Sequence, residues 1–348
     1  MISDRLKKQN PWISILRIFM CFAVIQYHFV TAVNTLPQKT MAVFGNLAVP
    51  CFMLVSFYFT NQVLKYGDKD KLKKRLARLY VPIFAWNIIS FIVINVIVLL
   101  LGNKDGVIKF KTLLLSFVFP HCPGLPSHLW FLYAQMIILI VMFFILSVAK
   151  SDKAKQIVLV MLIIAAFILQ YTGANFALFE GTLDAVKYSL GRCIECLPYA
   201  AIGTLFAWFF KESKKVFSIV AGLVGLILAV VCKYIDKGPA GFAYSGLYLF
   251  FASTSICIIV FALPDIIKGK VRGYINYVGS CTMGIYCLHG LVGWLLERLC
   301  ASANIANRIL KPETLIFDSF IFIIGFIVTA TIRIINKRFK LRWVEYIA

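Results

Sequence analysis

Acidic residues are scarce in this chain. Only 15 of 348 residues are Asp or Glu, against 36 Lys and Arg, and charged residues together make up 15%. A soluble domain carries about 25% charged residues, so this composition cannot clothe a globular surface in water. The chain also lacks low-complexity stretches, a visible internal repeat and a polar segment long enough for a separate soluble domain. Histidine occurs four times, and no Ser-His-Asp pattern or metal-ligand cluster stands at a recognisable spacing. What fills the sequence is apolar: 61% hydrophobic residues and a mean hydropathy of +0.86. The net charge of +21 does not point to nucleic acid, because no soluble part with basic–aromatic interleaving is present to bind it.

Ten apolar segments can be marked, at 13–33, 42–62, 81–101, 128–149, 156–173, 187–210, 216–232, 242–263, 274–296 and 314–335. Each suits a span of about 20 residues. In hydrocarbon every backbone polar group must be paired within its own segment, so these segments are predicted helices. The expected fold is an all-α polytopic membrane protein of about ten transmembrane helices, one membrane-embedded domain over 1–348 with no separate soluble domain. The N-terminus mimics a signal peptide, but its apolar run is too long and holds Arg17 and His28, so it reads as a retained first helix.

Lys and Arg set the orientation. With the N-terminus inside, 24 of the 36 basic residues fall on the inner loops and tails, 10 on the outer loops, and Arg17 and Arg192 lie within spans. Both termini are therefore expected in the cytoplasm, and the basic loops meet anionic lipid headgroups. The ten cysteines sit mostly in apolar spans, as small core residues do. Cys193 and Cys196 form a CxxC without a second pair or an exposed loop, which favours packing over metal or redox chemistry.

Ionisable side chains inside a bilayer are costly, so each needs a partner, a cavity or a task. Arg17 and His28 share one stripe of the first helix, about 16 Å apart along its axis. Alone, Arg17 reads as a snorkelling arginine and His28 as a packing histidine. Together, a cation inside and an imidazole outside mark a polar path. His128 opens the fourth span at the outer mouth, where Trp130 also suits an interfacial aromatic belt. His289 falls at the depth of His28, and His121 lies on an outer loop. Arg192 and Glu195 stand at i, i+3 in the sixth span and can pair or line a pocket. Arg75 and Arg78 precede the third span one turn apart. Their planar forks suit phosphates, and a topology anchor is the plainer reading.

Five motifs, in order, resemble the acyltransferase-3 family of integral membrane acyltransferases. Arg17 and His28 match its Arg-x10-His signature. Val49-Pro50-Cys51-Phe52-Met53-Leu54-Val55-Ser56-Phe57-Tyr58 is similar to its second-helix motif, with Phe57 where glycine is usual. Arg75-x-x-Arg78 is similar to its cytoplasmic arginine motif, and His128-Leu129-Trp130-Phe131-Leu132 to its fourth-helix signature. Gly279 to His289 resembles the late motif Gly-x-x-Ser-x-x-Ile-Tyr-Leu-x-His. Gln135 stands where one branch has Glu, so no carboxylate role passes to it, and no hydrolase-like domain follows the membrane part.

The resemblance implies transfer of an acyl group, most often acetyl, from cytoplasmic acetyl-CoA to a hydroxyl of a cell-surface glycan or lipid-linked sugar, across a bacterial cytoplasmic membrane. It requires no metal. It implies His28 as general base, Arg17 as donor-orienting or oxyanion-stabilising cation, and Arg75 and Arg78 with Arg17 as CoA-binding residues. His128, Trp130, His289, Arg192, Glu195, Ser56 and Tyr58 would shape the acceptor side. The same buried charges also describe a transporter or exporter of a glycan or small molecule. Acyl-CoA hydrolysis or transfer by the purified protein separates the two.

The alternation of basic loops makes a direct prediction. In a cysteine-depleted background, single cysteines placed near Lys74 and near Glu180 should label from opposite sides of the membrane. Labelling from one side would contradict the ten-span topology.

Overall fold

The computed structural model describes residues 10–29, 35–120, 122, 124–125, 127–173, 184–209, 215–236, 238, 244–302 and 314–339. His121, Glu180, residues 30–33 of the first predicted segment, and Arg5, Lys7, Lys8, Lys340 and Arg342 of the termini lie outside them.

Each of the ten predicted segments corresponds to a helix. They are α1 (Pro11–Phe29), α2 (Leu36–Tyr66), α3 (Lys69–Leu100), α5 (Trp130–Val148), α6 (Asp152–Tyr171), α7 (Asp184–Phe209), α8 (Lys215–Ile235), α9 (Leu247–Ala262), α10 (Gly269–Ser302) and α11 (Leu315–Phe339). A short α4 (Phe110–Ser116) lies between α3 and α5. Eight of these helices are long and apolar enough to cross a membrane; α9 is apolar but shorter, at 16 residues. α7 carries Arg192 and Glu195 within its span. The chain is an all-helical polytopic membrane protein.

Local chemistry explains the ends. Thr35 and Gln38 form a capping box at the start of α2, and Gly67, at φ 64°, closes its other end. Asp68 then accepts from Lys71 N and starts α3, so two long helices meet in a tight turn. α3 begins twelve residues before the apolar segment at 81, because its first turns, Lys69 to Arg78, are helical outside the hydrocarbon. At 32 residues it runs about 48 Å at 1.5 Å per residue. On the same basic face Ser151 caps α6, Lys65 pairs with Asp152 at 2.9 Å, and Lys155 Nζ donates to Lys65 O. The alternating directions of the helices bring these basic ends together.

The interior sits around α1, which packs on α2 and α10; α10 packs in turn on α11, and α2 on α7 and α9. α6 and α8 are peripheral, with exposed Ile157, Met161, Ile164, Leu223 and Ile227 facing outward. In lipid, helices associate through close van der Waals contact and not by hiding apolar surface from water. Gly203 shows the result: a Cβ there would lie 2.4 Å from Leu54 O, so α2 and α7 touch backbone to backbone.

Candidate functional site

Two polar clusters lie at different depths along α1. Near the basic face, Arg17 of α1 lies within electrostatic reach of Arg333 on α11, and Arg75 on α3 within reach of both Arg78 and Arg17. Arg75 donates to Ser56 Oγ at 2.6 Å, and Ser56 Oγ donates to Gln135 Oε1 at 3.3 Å. A hydroxyl relay from α5 through α2 thus holds the guanidinium of α3. Arg333 donates to Ser280 Oγ and, at 2.6 Å, to Ser280 O.

The ion pairs of the described residues lie elsewhere: Lys65–Asp152, Lys71–Asp68, Arg192–Glu195 and Arg272–Asp265. Among the described residues, Arg17, Arg75 and Arg78 therefore have no carboxylate partner. Like charges gathered in this way repel strongly where the dielectric is low. The arrangement suits a polyanion, which guanidinium forks bind through paired hydrogen bonds.

In the other half, three histidines from three helices converge. His28 of α1 lies 5.1 Å from His289 of α10 and 6.3 Å from His128, ring centroid to centroid, and His128 lies 4.2 Å from His289. His128 stands on a short helical turn, Ser127–Leu129, that leads into α5. Its Nε2–H donates to Cys287 O at 3.2 Å, and its own carbonyl accepts from the Tyr286 hydroxyl. His289 Nδ1–H donates to Tyr286 O at 2.5 Å, which leaves Nε2 as an acceptor, buried and without a partner. His128 and His289 are buried, whereas His28 is an exposed residue whose ring packs against theirs. Two oriented imidazoles thus stand behind it.

α10 makes this convergence possible by lacking side chains at two positions. A Cβ at Gly290 would lie 2.4 Å from His128 Cε1, and one at Gly293 would lie 2.0 Å from Phe29 Cζ. Any larger residue would push those rings out of the cluster.

Beside the histidines lies an aromatic cage. Trp130 stacks on Tyr244 at 5.5 Å and 30°. The Arg192 guanidinium sits 4.9 Å from the Trp130 ring, 5.0 Å from Tyr188 and 5.3 Å from Tyr244. Glu195, 2% exposed, pairs with Arg192 at 2.7 Å. The pair expected from the i, i+3 spacing is present, and its cation is already neutralised.

The predicted residues thus fall into groups. Arg17, Arg75 and Arg78 assemble near the basic face, as do His28, His128 and His289 in the far half, while Trp130, Arg192 and Glu195 share the cage. Ser56 joins the arginines and not the acceptor side, because it faces α3 and α5. Tyr58 packs against Phe206 and, at 4.2 Å, Phe261, among α7 and α9. Sequence reasoning placed Arg333 with the tail and gave no role to Tyr188, Tyr244 or Asp318. The Gly-x-x-Ser part of the late motif, which contains the partner of Arg333, was the available signal. Cys193 and Cys196 are both buried free thiols. Among the described residues no group of His, Cys, Asp or Glu is arranged to hold a metal ion.

The chain belongs to the acyltransferase-3 family, whose model, described as an acyltransferase domain, matches residues 10–335. Membership makes it a membrane acyltransferase, working with membrane lipids, an acyl donor and an acceptor. No curated protein and no solved structure matches the chain.

The packing at Gly290 is testable. Gly290→Ala should cost about 1–3 kcal/mol as an overpacked contact, read as a fall in the thermal unfolding midpoint in detergent. A midpoint equal to the parent's would show that the His128 ring has room to move.

Proposed function

We propose that the protein moves an acetyl group from cytoplasmic acetyl-CoA to a hydroxyl of a cell-surface glycan or lipid-linked sugar in a bacterial cytoplasmic membrane. One observation carries this reading. A cluster of arginines with no carboxylate partner among the described residues and a histidine backed by two others stand toward the two ends of one helix. Arg17, Arg75 and Arg78 take the phosphates of CoA. Arg17 and His28 are about 16 Å apart along α1, comparable to the pantetheine arm. The thioester therefore reaches the histidines while the nucleotide stays at the basic face, and no unpaired phosphate enters hydrocarbon.

At the histidines, His28 takes the proton of the acceptor hydroxyl as general base, a role worth typically about 10²–10⁴-fold. The oxygen attacks the thioester carbonyl, the C–S bond breaks, and the proton returns to sulfur as CoA leaves as a thiol. His128 and His289 hold the acceptor hydroxyl and keep His28 in place. Trp130, Tyr188 and Tyr244 form an aromatic wall on the acceptor side and hold Arg192 in place there. Arg192, neutralised by Glu195, donates hydrogen bonds there without demanding an anionic acceptor.

Two mutational outcomes test the assignment. His28→Ala should lower acyl transfer at least about 100-fold while acetyl-CoA binding stays near the parent's; retained activity would remove His28 as an essential base. Arg75→Ala with Arg78→Ala should weaken CoA binding, and dephospho-CoA should discriminate less between mutant and parent if these arginines hold the 3′-phosphate. Unchanged CoA affinity in the double variant would return both residues to the role of topology anchors. Purified protein that moves a glycan while leaving acyl-CoA intact would favour the transporter reading.

A further inference from the structure

Five buried polar atoms without hydrogen-bond partners fall on three residues of one helix junction: Gln26 Nε2 and Oε1, His289 Nε2, and Asp318 Oδ1 and Oδ2. Gln26 and Asp318 are both 0% exposed, and His289 is 1% exposed. Desolvated polar atoms left unpaired are destabilising, so their gathering in one place marks a task and not a packing accident.

Ring contacts fix the register of this junction. Phe22 of α1 meets Phe322 of α11 at 6.1 Å, and Phe29 meets Phe317 at 5.8 Å. Gln26 lies four residues after Phe22 and three before Phe29, so it shares their face. Asp318 lies one turn before Phe322 on α11. The two aromatic pairs therefore bracket Gln26 and Asp318 at one level of the α1–α11 seam. α10 closes the junction: a Cβ at Gly325 of α11 would lie 3.3 Å from Ile285 of α10. Seven residues from Gly325 back to Asp318, and four from Ile285 on to His289, return each residue to the face that lines this seam, with Asp318 about 4.5 Å farther along the axis than His289. His289 in turn lies 5.1 Å from His28.

We propose that Asp318 is a positioning residue of the histidine cluster, acting through His289 to stabilise the imidazolium that forms when His28 takes the acceptor proton. This rests on the reading of His28 as the general base. The step needs no added reactant. The proton passes from the acceptor hydroxyl to imidazole and then to the departing CoA sulfur, and Asp318 supplies only negative charge while the imidazolium exists.

The titratable groups facing the junction are His28 from α1, His289 from α10, and, packed on His289, His128 at 4.2 Å and Tyr286 at 5.5 Å. Farther out on α10 stand half-buried Glu297 and exposed Arg298, the latter over the Trp294 ring. Arg192, the cation of the neighbouring cage, is already paired with Glu195. Asp318 is thus the buried carboxyl on the seam that His289 shares.

The test compares Asp318→Asn and Asp318→Glu with the parent in full-length purified protein, using acetyl-CoA and a lipid-linked sugar fraction as substrates. Asp318→Asn should lower kcat about 10–100-fold with little change in the KM for acetyl-CoA, the size of a lost acid–base support. The acid limb of its pH–rate profile should move to lower pH, because losing a nearby negative charge favours neutral imidazole. Asp318→Glu should restore part of kcat and the position of the limb. An unchanged limb in Asp318→Asn would overturn the proposal, whether kcat held or fell with stability.

An activity-free readout separates this failure from failure of the acyltransferase reading itself. In infrared titrations of the parent, a carboxyl band lost in Asp318→Asn should titrate with a midpoint that moves in His289→Ala. A midpoint indifferent to His289 would overturn the coupling even in a protein that transfers no acyl group.

Discussion

Hydrocarbon does not solvate polar groups, and the rest of this structure depends on that fact. It drives each apolar segment into a helix whose backbone satisfies itself. It gathers the basic loops at one face, where lipid phosphates and water meet them. It also makes each polar side chain inside the bundle conspicuous, because such a group persists only where partners or function compensate its desolvation. The arginines near the basic face and the histidines in the far half are the two largest exceptions, and α1 carries a member of each.

Close packing turns these exceptions into geometry. α10 meets α1 and the short turn Ser127–Leu129 closely because Gly279, Gly290 and Gly293 leave room for Ser14, His128 and Phe29. The same helix supplies His289 and carbonyls that fix the tautomers of His128 and His289. Ser14 donates to Asn276 at 2.7 Å and Arg333 holds Ser280, so α10 is tied to α1 and α11 at the basic face as well. The late motif thus acts as a brace along the whole path between the two clusters. This explains its mixture of glycine, serine, tyrosine and histidine better than a role at one depth would.

The fold was largely legible from the sequence because a bilayer writes its constraint as length and hydropathy. The ten segments were found; the fifth, marked at 156–173, is the 20-residue α6 (Asp152–Tyr171), which starts earlier and ends two residues sooner, and the seventh, marked at 216–232, extends at both ends to the 21 residues of α8. Their ends were less legible, since Lys69 to Arg78 continue α3 as polar helix beyond the hydrocarbon. Depth was readable for Arg17, His28 and His289 by counting residues along a helix. Rotation between helices was not, so nothing in the spacing could bring Ser56 to Arg75 or His128 to His289. Asp318 was hidden by its place near the start of a span, where an acid reads as interfacial, although the packed structure leaves it 0% exposed. Arg333 was counted with the basic tail for the same reason. Tyr188 and Tyr244 flank Arg192 only after folding, and composition alone gives a tyrosine no address.

The central claim is that donor and acceptor meet inside the membrane from opposite sides. Protein reconstituted in vesicles of known orientation tests it most directly. Acetyl-CoA supplied only on the Lys74 side, with a lipid-linked sugar presented only on the other, should give acylated sugar. Turnover that requires both substrates in one compartment would contradict the through-membrane path, even with His28 still essential.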